Sequence, residues 1–155
     1  MGMKPELDQL RTVDHLGIVV PDLEQAIALY RDVFGCDVSD VLSMPDQGIE
    51  MVFVTLDNTR VELLAATAET SPIKHVLEDH TINDFLERSP GGGLHHICYV
   101  VDDLKAMRER LTARGMRVLG SGEPIIGASG QPIVFLDPDN AGGTLIELKQ
   151  KPSAA

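Results

Sequence analysis

The alternation of apolar and polar residues changes period repeatedly along the chain, and each change marks an element. Residues 13–20 are largely apolar and β-branched, which predicts a strand. Pro21-Asp22 stops it and opens a helix, with Asp22 as cap and Gln25 three residues on in capping-box position. Leu23, Ala26, Ile27, Tyr30 and Phe34 then recur at helical spacing, which predicts one buried face before Gly35 ends the helix. Strands follow near 37–43, 49–56 and 60–65, separated by turns at Pro45-Asp46-Gln47-Gly48 and Asp57-Asn58-Thr59. The first module therefore reads βαβββ.

A second module repeats the plan. A strand is predicted at 94–101, a helix from about 103 to 114 with Leu104, Met107 and Leu111 as its apolar stripe, and a stop at Gly115. Strands near 116–120, 131–136 and 143–149 complete it, and Gly127-Ala128-Ser129-Gly130 reads as the tight turn before the middle one. Between the modules, residues 66–93 form a linker whose middle, Pro72 to Leu86, has helical periodicity and packs over the sheet. It ends in Ser89-Pro90-Gly91-Gly92-Gly93. The expected organisation is a single α+β domain over 1–155, with modules at about 13–65 and 94–149.

The modules match residue by residue. Asp14-His15-Leu16-Gly17-Ile18-Val19-Val20-Pro21-Asp22-Leu23 is echoed 81 positions later by His95-His96-Ile97-Cys98-Tyr99-Val100-Val101-Asp102-Asp103-Leu104. Val61-Glu62-Leu63 is echoed 85 positions later by Ile146-Glu147-Leu148. Two similar supersecondary units in tandem pack about a pseudo-twofold axis. Their curled sheets are expected to face each other around a cavity.

Composition narrows the function classes. A net charge of -11 over 155 residues argues against a nucleic-acid partner, which would be met by basic patches. No segment is long and apolar enough to span a bilayer, and the first residues lack the apolar core of a signal peptide. Cys36 and Cys98 fall in different modules and form no disulfide framework, so the cytoplasm is the simplest expected location.

A lone strand His or Glu carries little weight. Here each module puts His in its first strand and Glu in its last, so the cavity wall carries His15, Glu62, His96 and Glu147. Two carboxylates buried without a counter-charge are strongly unfavourable. A divalent cation neutralises both and uses the imidazoles as neutral donors. Mixed N and O donors suit Co, Zn, Ni, Mn or Fe as one divalent metal ion. His95, beside His96 on a strand, is expected to point to the opposite face in a structural or supporting role. Cys98 shares the His96 face and is expected to be a small buried apolar residue.

At these residues the chain resembles the vicinal oxygen chelate (glyoxalase/bleomycin resistance/dioxygenase) superfamily, and within it the methylmalonyl-CoA epimerases. The epimerase-like strings include Asp14-His15-Leu16-Gly17-Ile18, Asn58-Thr59-Arg60-Val61-Glu62-Leu63-Leu64, Ser71-Pro72-Ile73 and Gly92-Gly93-Leu94-His95-His96-Ile97. They continue through Gly122–Gly130, Phe135-Leu136-Asp137-Pro138 and Gly143-Thr144-Leu145-Ile146-Glu147-Leu148. The resemblance places the metal ligands on His15, Glu62, His96 and Glu147. It implies a metal-dependent epimerisation of 2R/2S-methylmalonyl-CoA by C2 proton abstraction through a metal-stabilised enolate. Glu147 is then the expected acid/base, with Glu62 a ligand serving the other face. By the same resemblance Gln47 and Ser71 are expected substrate contacts by position in the family, the expected partner is an acyl-CoA, and a homodimer is expected.

The family commonly has His where this chain has Asp137, and a basic residue where this chain has Asp139. Its linker around Lys74–Ile82 is longer than usual. Some members carry a proposed catalytic Glu three residues after the Gly of Gln47-Gly48; here that position is Met51, and Glu50 falls one short, on the other face of a strand. The same quartet suits glyoxalase I, the alternative enzyme reading. A metal-free small-molecule binding protein on the same fold is the non-catalytic alternative.

Overall fold

In the computed structural model, which describes residues 8–153, β1 (Val13–Val19) leads into α1 (Leu23–Ala28), which continues as a π-helical turn over Leu29–Val33. The Asp22 carboxylate caps α1 by accepting from the Gln25 amide at 3.1 Å. Leu23 and Ala26 are buried as expected, but Phe34 is 59% exposed. The π turn, closed by the Phe34 amide on the Leu29 carbonyl, adds a residue and rotates Phe34 off the apolar face.

The strand predicted at 37–43 is two short ones, β2 (Asp37–Val38) and β3 (Leu42–Met44), which pair with opposite ends of β4 (Ile49–Thr55). Ser39 interrupts them: its hydroxyl accepts from the Phe53 amide at 2.9 Å and donates to the Asp40 carbonyl, which turns the chain between them. Next comes β5 (Arg60–Ala66).

The linker helix is also broken, into α2 (Lys74–Leu77), a 3-10 turn at Glu78–His80 and α3 (Ile82–Arg88). Glu78 sits at φ 55°, a left-handed conformation that a side chain rarely adopts. It is held there by two 2.8 Å bonds from Arg117 and one of 2.8 Å from the Gly120 amide. Burial slightly opposes ionisation, but the Arg117 fork and the Gly120 amide hold this carboxyl down at about 2. A capping box between Thr81 and Asp84 restarts the helix as α3.

The second module comprises β6 (Gly93–Val101), α4 (Leu104–Ala113), β7 (Ile125–Ile126), β8 (Pro132–Leu136) and β9 (Ile146–Gln150). The strand predicted at 116–120 is reduced to one bridge, Val118 with Leu136. Arg117, at its centre, turns its side chain to Glu78 and Asp137 and its amide to the Asn140 side chain instead of a strand partner.

The strands form a single sheet ordered β2-β4-β5-β1-β6-β9-β8-β7, with β3 also on β4. In each module the first strand lies parallel to the last, Gly17 opposite Glu62 and Cys98 opposite Glu147, as the repeat requires. The two module sheets join edge to edge: β1 and β6 pair antiparallel, with His15 opposite Cys98, Leu16 opposite Ile97 and Gly17 opposite His96. That register is symmetric about the Leu16–Ile97 pair.

Alternation along each strand sorts the two faces. Val52, Val54, Val61, Leu63 and Ala65 pack with Leu23 and Ala26 of α1, and Val134, Leu136 and Leu148 pack with Leu104 and Met107 of α4. On the other face, Ile49, Met51 and Leu64 meet Ile82, while Ile133, Phe135 and Leu145 meet Leu77. The linker therefore packs over the sheet, and Glu62 and Glu147 fall on the face it covers.

Candidate metal centre

Between linker and sheet lies a partly open cavity of about 50 Å³. Glu62, His96 and Glu147 line it together with Gln47, Ser71 and His95. His15 is not in the lining, contrary to expectation; it lies behind it, against His96. The His15 and His96 Nε2 atoms are 3.2 Å apart. Glu147 Oε1 is 3.3 Å from the first and 3.2 Å from the second, and Glu62 reaches them at 3.5 and 3.8 Å. All four residues are 4–6% exposed, so this is a buried cluster and not a surface one.

Each histidine is aimed by a β-bulge. The β1–β6 register slips at Asp14 and again at His95, the residues just before the two imidazoles. An extra residue at each point lets two consecutive side chains reach the same region. His95 is therefore not on the opposite face, as strict alternation predicts. It lies in the cavity wall, its Nδ1 2.8 Å from His96 Nδ1 and its Nε2 2.6 Å from the His80 carbonyl. Burial pushes the His95 pKa down to about 3, with His96 adding to the shift, so this ring is neutral.

Asp14 fills the equivalent place beside His15, accepting from His15 Nδ1 at 2.7 Å, Arg60 at 2.8 Å and the buried Lys149 at 3.1 Å. Burial favours the neutral acid, but these three partners hold the Asp14 carboxyl well below the usual carboxylate range. Phe53 and Phe135 complete the symmetry. They stand opposite Glu62 and Glu147 in the sheet and set their edges against His15 and His96 at 6.2 and 6.1 Å. Their separations from the two glutamates differ along the chain, which hid them from a fixed-shift repeat.

The donor set fits a divalent cation. With Asp14 taking the proton on His15 Nδ1, the His15 Nε2 lone pair faces a second imidazole and two carboxylates. Donors at ~2.1 Å from one ion sit about 3.0–3.4 Å from each other. The separations that involve the two imidazole nitrogens run from 3.2 to 3.8 Å, and His15, Glu62 and His96 form a group whose donor atoms all lie within 4.8 Å of one another. Protons alone report the same demand for positive charge. Burial opposes protonating His15, yet Asp14, Cys98, Glu147 and Glu62 draw its pKa far above the ordinary imidazole value. Burial raises the Glu62 carboxyl, while the imidazoles outweigh burial at Glu147 and lower it.

Other expected residues fall as follows. Gln47 and Ser71 both stand in the cavity wall, one before β4 and one before α2, on segments that meet where Gly48 approaches Pro72. Met51 lines the cavity and Glu50 does not. Asp137 accepts from Arg117 and caps the following turn, away from the cavity lining. Cys98 is fully buried against His15, and burial pushes its thiol up to about 12. The Gly127–Gly130 segment is a turn, closed by the Gly127 amide on the Gln131 carbonyl, with Gly127 and Ala128 at the cavity.

Comparison with known proteins gives a consistent set. The family model of the glyoxalase/bleomycin resistance protein/dioxygenase superfamily matches residues 14–135. The ethylmalonyl-CoA/methylmalonyl-CoA epimerase of Cereibacter sphaeroides is 49% identical over 138 residues, covering 89% of this chain and 96% of that protein. The human mitochondrial methylmalonyl-CoA epimerase is 41% identical, covering 91% of this chain and 74% of the human one. The crystal structure of methylmalonyl-CoA epimerase from Mycobacterium tuberculosis superposes with a TM-score of 0.81 at 30% identity, over 97% of this chain and 94% of that one. A methylmalonyl-CoA epimerase solved with methylmalonyl-CoA and NH4+ gives a TM-score of 0.79 at 28% identity, over 94% of this chain and 97% of that one. With the cavity, the nine-stranded sheet and these likenesses in agreement, the chain belongs to the methylmalonyl-CoA epimerases of the glyoxalase/bleomycin resistance protein/dioxygenase superfamily.

Proposed function

We propose that this chain interconverts 2R- and 2S-methylmalonyl-CoA by removing the C2 proton from one face and returning one to the other. The observation that carries this reading is the pair of buried carboxylates, Glu62 and Glu147, on symmetry-related strands around two imidazoles. Removing the C2 proton leaves a planar enolate, and inversion needs an acid/base on each side of that plane. A pseudo-twofold site supplies both from one repeated sequence.

His15, Glu62, His96 and Glu147 would hold one divalent ion, of the Co, Zn, Ni, Mn or Fe type. When bound, the ion supplies Lewis acidity and positive charge at the thioester and carboxylate oxygens. Among the described residues no Lys or Arg lines the cavity, so no side chain there offsets the substrate carboxylate. Glu147 faces both imidazoles through Oε1, which leaves Oε2 for proton transfer. Glu62 turns one oxygen to each imidazole and serves the second face. Gln47 and Ser71 orient the acyl group from the wall, and Ile49, Met51, Leu64 and Ile82 keep water away from the carbanionic centre.

The test is a chiral assay with either epimer in deuterated water, on chelated and reloaded protein. Chelation is expected to lower both epimerisation and C2 deuterium uptake by about 1000-fold, with recovery on adding a divalent metal. Full activity without metal would overturn the metal reading. Turnover of methylglyoxal with glutathione, and none of methylmalonyl-CoA, would favour glyoxalase chemistry instead.

The same reading takes the protein as a homodimer in the cytoplasm, where Cys36 and Cys98, both unpaired in the structure, stay reduced. Light scattering is expected to give twice the 16.8 kDa chain mass; a monomer at working concentration would remove the dimer from the proposal.

A further inference from the structure

We infer that His95 is a positioning residue that sets which nitrogen of His96 is free, and that it does so on instruction from the linker. The inference rests on the metal reading above and concerns a residue outside the ligand set. The His80 carbonyl can only accept, so at 2.6 Å it fixes the proton of His95 on Nε2. His95 Nδ1 is then a lone pair, and at 2.8 Å it accepts from His96 Nδ1–H. His96 is left with its Nε2 lone pair facing Glu62, Glu147 and His15. A chain of two hydrogen bonds thus runs from the linker backbone to the donor atom.

The two halves of the site differ in this respect. His15 is backed by an ionised carboxylate, Asp14, which is itself held by Arg60 and Lys149. His96 is backed by another imidazole, whose other polar contact among the described residues is a main-chain carbonyl. A carboxylate raises the donor strength of its imidazole more than a neutral acceptor does. The halves therefore hold an ion with unequal donors despite the repeat.

His80 is well placed to give such an instruction. It lies two residues after Glu78, which Arg117 and the Gly120 amide clamp to the second module, and one before Thr81, whose capping box fixes α3. Phe85 of α3 sets its edge on the His95 ring at 5.7 Å. The imidazole is thus held by ring packing as well as by its two nitrogens.

The experiment compares His95→Gln with His95→Leu. A Gln side chain can accept through its oxygen and donate through its amide, so it can replace both bonds; Leu can replace neither. Nitrogen-15 NMR of metal-free wild-type protein is expected to show His96 protonated on Nδ1 and His95 on Nε2. His95→Leu is expected to lose the His96 preference and to bind Zn²⁺ or Co²⁺ about 10- to 100-fold more weakly in a chelator competition. His95→Gln should stay within a few-fold of wild type in metal affinity and keep the His96 tautomer. Wild-type tautomers opposite to these would overturn the inference, even if His95→Leu fails to fold. So would wild-type metal affinity in His95→Leu. If wild-type protein binds no divalent metal at all, the metal reading falls while the tautomer result still decides the role of His95.

Discussion

Glu147→Gln is expected to lower C2 deuterium uptake and epimerisation by about 1000-fold while the protein still folds and still takes up metal. Gln has the size and shape of Glu and keeps one oxygen donor, so the contacts of Oε1 with His15 and His96 Nε2 can persist in weaker form. The amide cannot accept the C2 proton. The expected signature is thus a large fall in turnover beside a modest fall in metal affinity. Running both epimers separately adds a stricter reading. If Glu147 serves one face, exchange starting from one epimer should fall further than exchange from the other. Retention of metal together with full exchange would remove Glu147 from the acid/base role. Met51 and Glu50 make this variant decisive. The position that carries a proposed catalytic Glu in some relatives is Met51 here, in the cavity wall but without a titratable group. Glu50 pairs with Ser43 and does not line the cavity. On the proposed mechanism the proton chemistry falls on Glu62 and Glu147, the two carboxylates that line it among the described residues.

The quartet was readable in the sequence because period-two alternation and the repeat act together. A Glu flanked by Val61 and Leu63, on a strand beside the one bearing His15, must share a face with His15 if the flanking residues pack on α1. The same holds for Glu147 between Ile146 and Leu148 against α4. Alternation predicts His95 on the opposite face, and the structure differs because a bulge is an exception to alternation that no residue type announces. Its only trace was that Asp14 and His95 hold equivalent places and both suit an imidazole partner. The linker helix looked continuous because Ile73, Val76, Leu77, Ile82 and Phe85 nearly keep a helical period. The break at Glu78 depends on Arg117 and Gly120, 39 and 42 residues away, which no local pattern contains. The Thr81–Asp84 capping box was local and visible, but it lay inside an apolar run that seemed to need no start. At residues 116–120 the apolar pattern is met by burying Leu119 and partly burying Val118; the Leu119 amide and the Arg117 carbonyl still bond to Phe135 and Asp137, but the Arg117 amide turns to Asn140, which confines the pairing to one bridge.

Gly17→Ala tests the site from the one place where the repeat is broken by necessity. Gly17 is the counterpart of Cys98, and in the sheet it stands opposite His96. A Cβ at Gly17 would lie 2.1 Å from His96 Cε1, 2.4 Å from Nδ1 and 2.5 Å from Nε2, inside the imidazole itself. Glycine is present because the ring occupies that space. The backbone gives no other reason: Gly17 lies within a strand and is not among the residues of positive φ, so alanine is conformationally acceptable there. The three nearest atoms all belong to the His96 ring, so that side chain must give way. Its Nδ1 is tied to His95 and its Nε2 to the cluster, so a displaced ring loses one contact or both. A misplacement of about 1 Å at such a centre is expected to weaken activity on the order of 100-fold. Metal affinity should fall in parallel, and the rest of the sheet should keep its hydrogen-exchange protection. Metal titration and the nitrogen-15 signals of His96 would show the displacement directly. Wild-type metal affinity and turnover in Gly17→Ala would mean that the ring can vacate this position without consequence, and His96 would lose its place among the ligands.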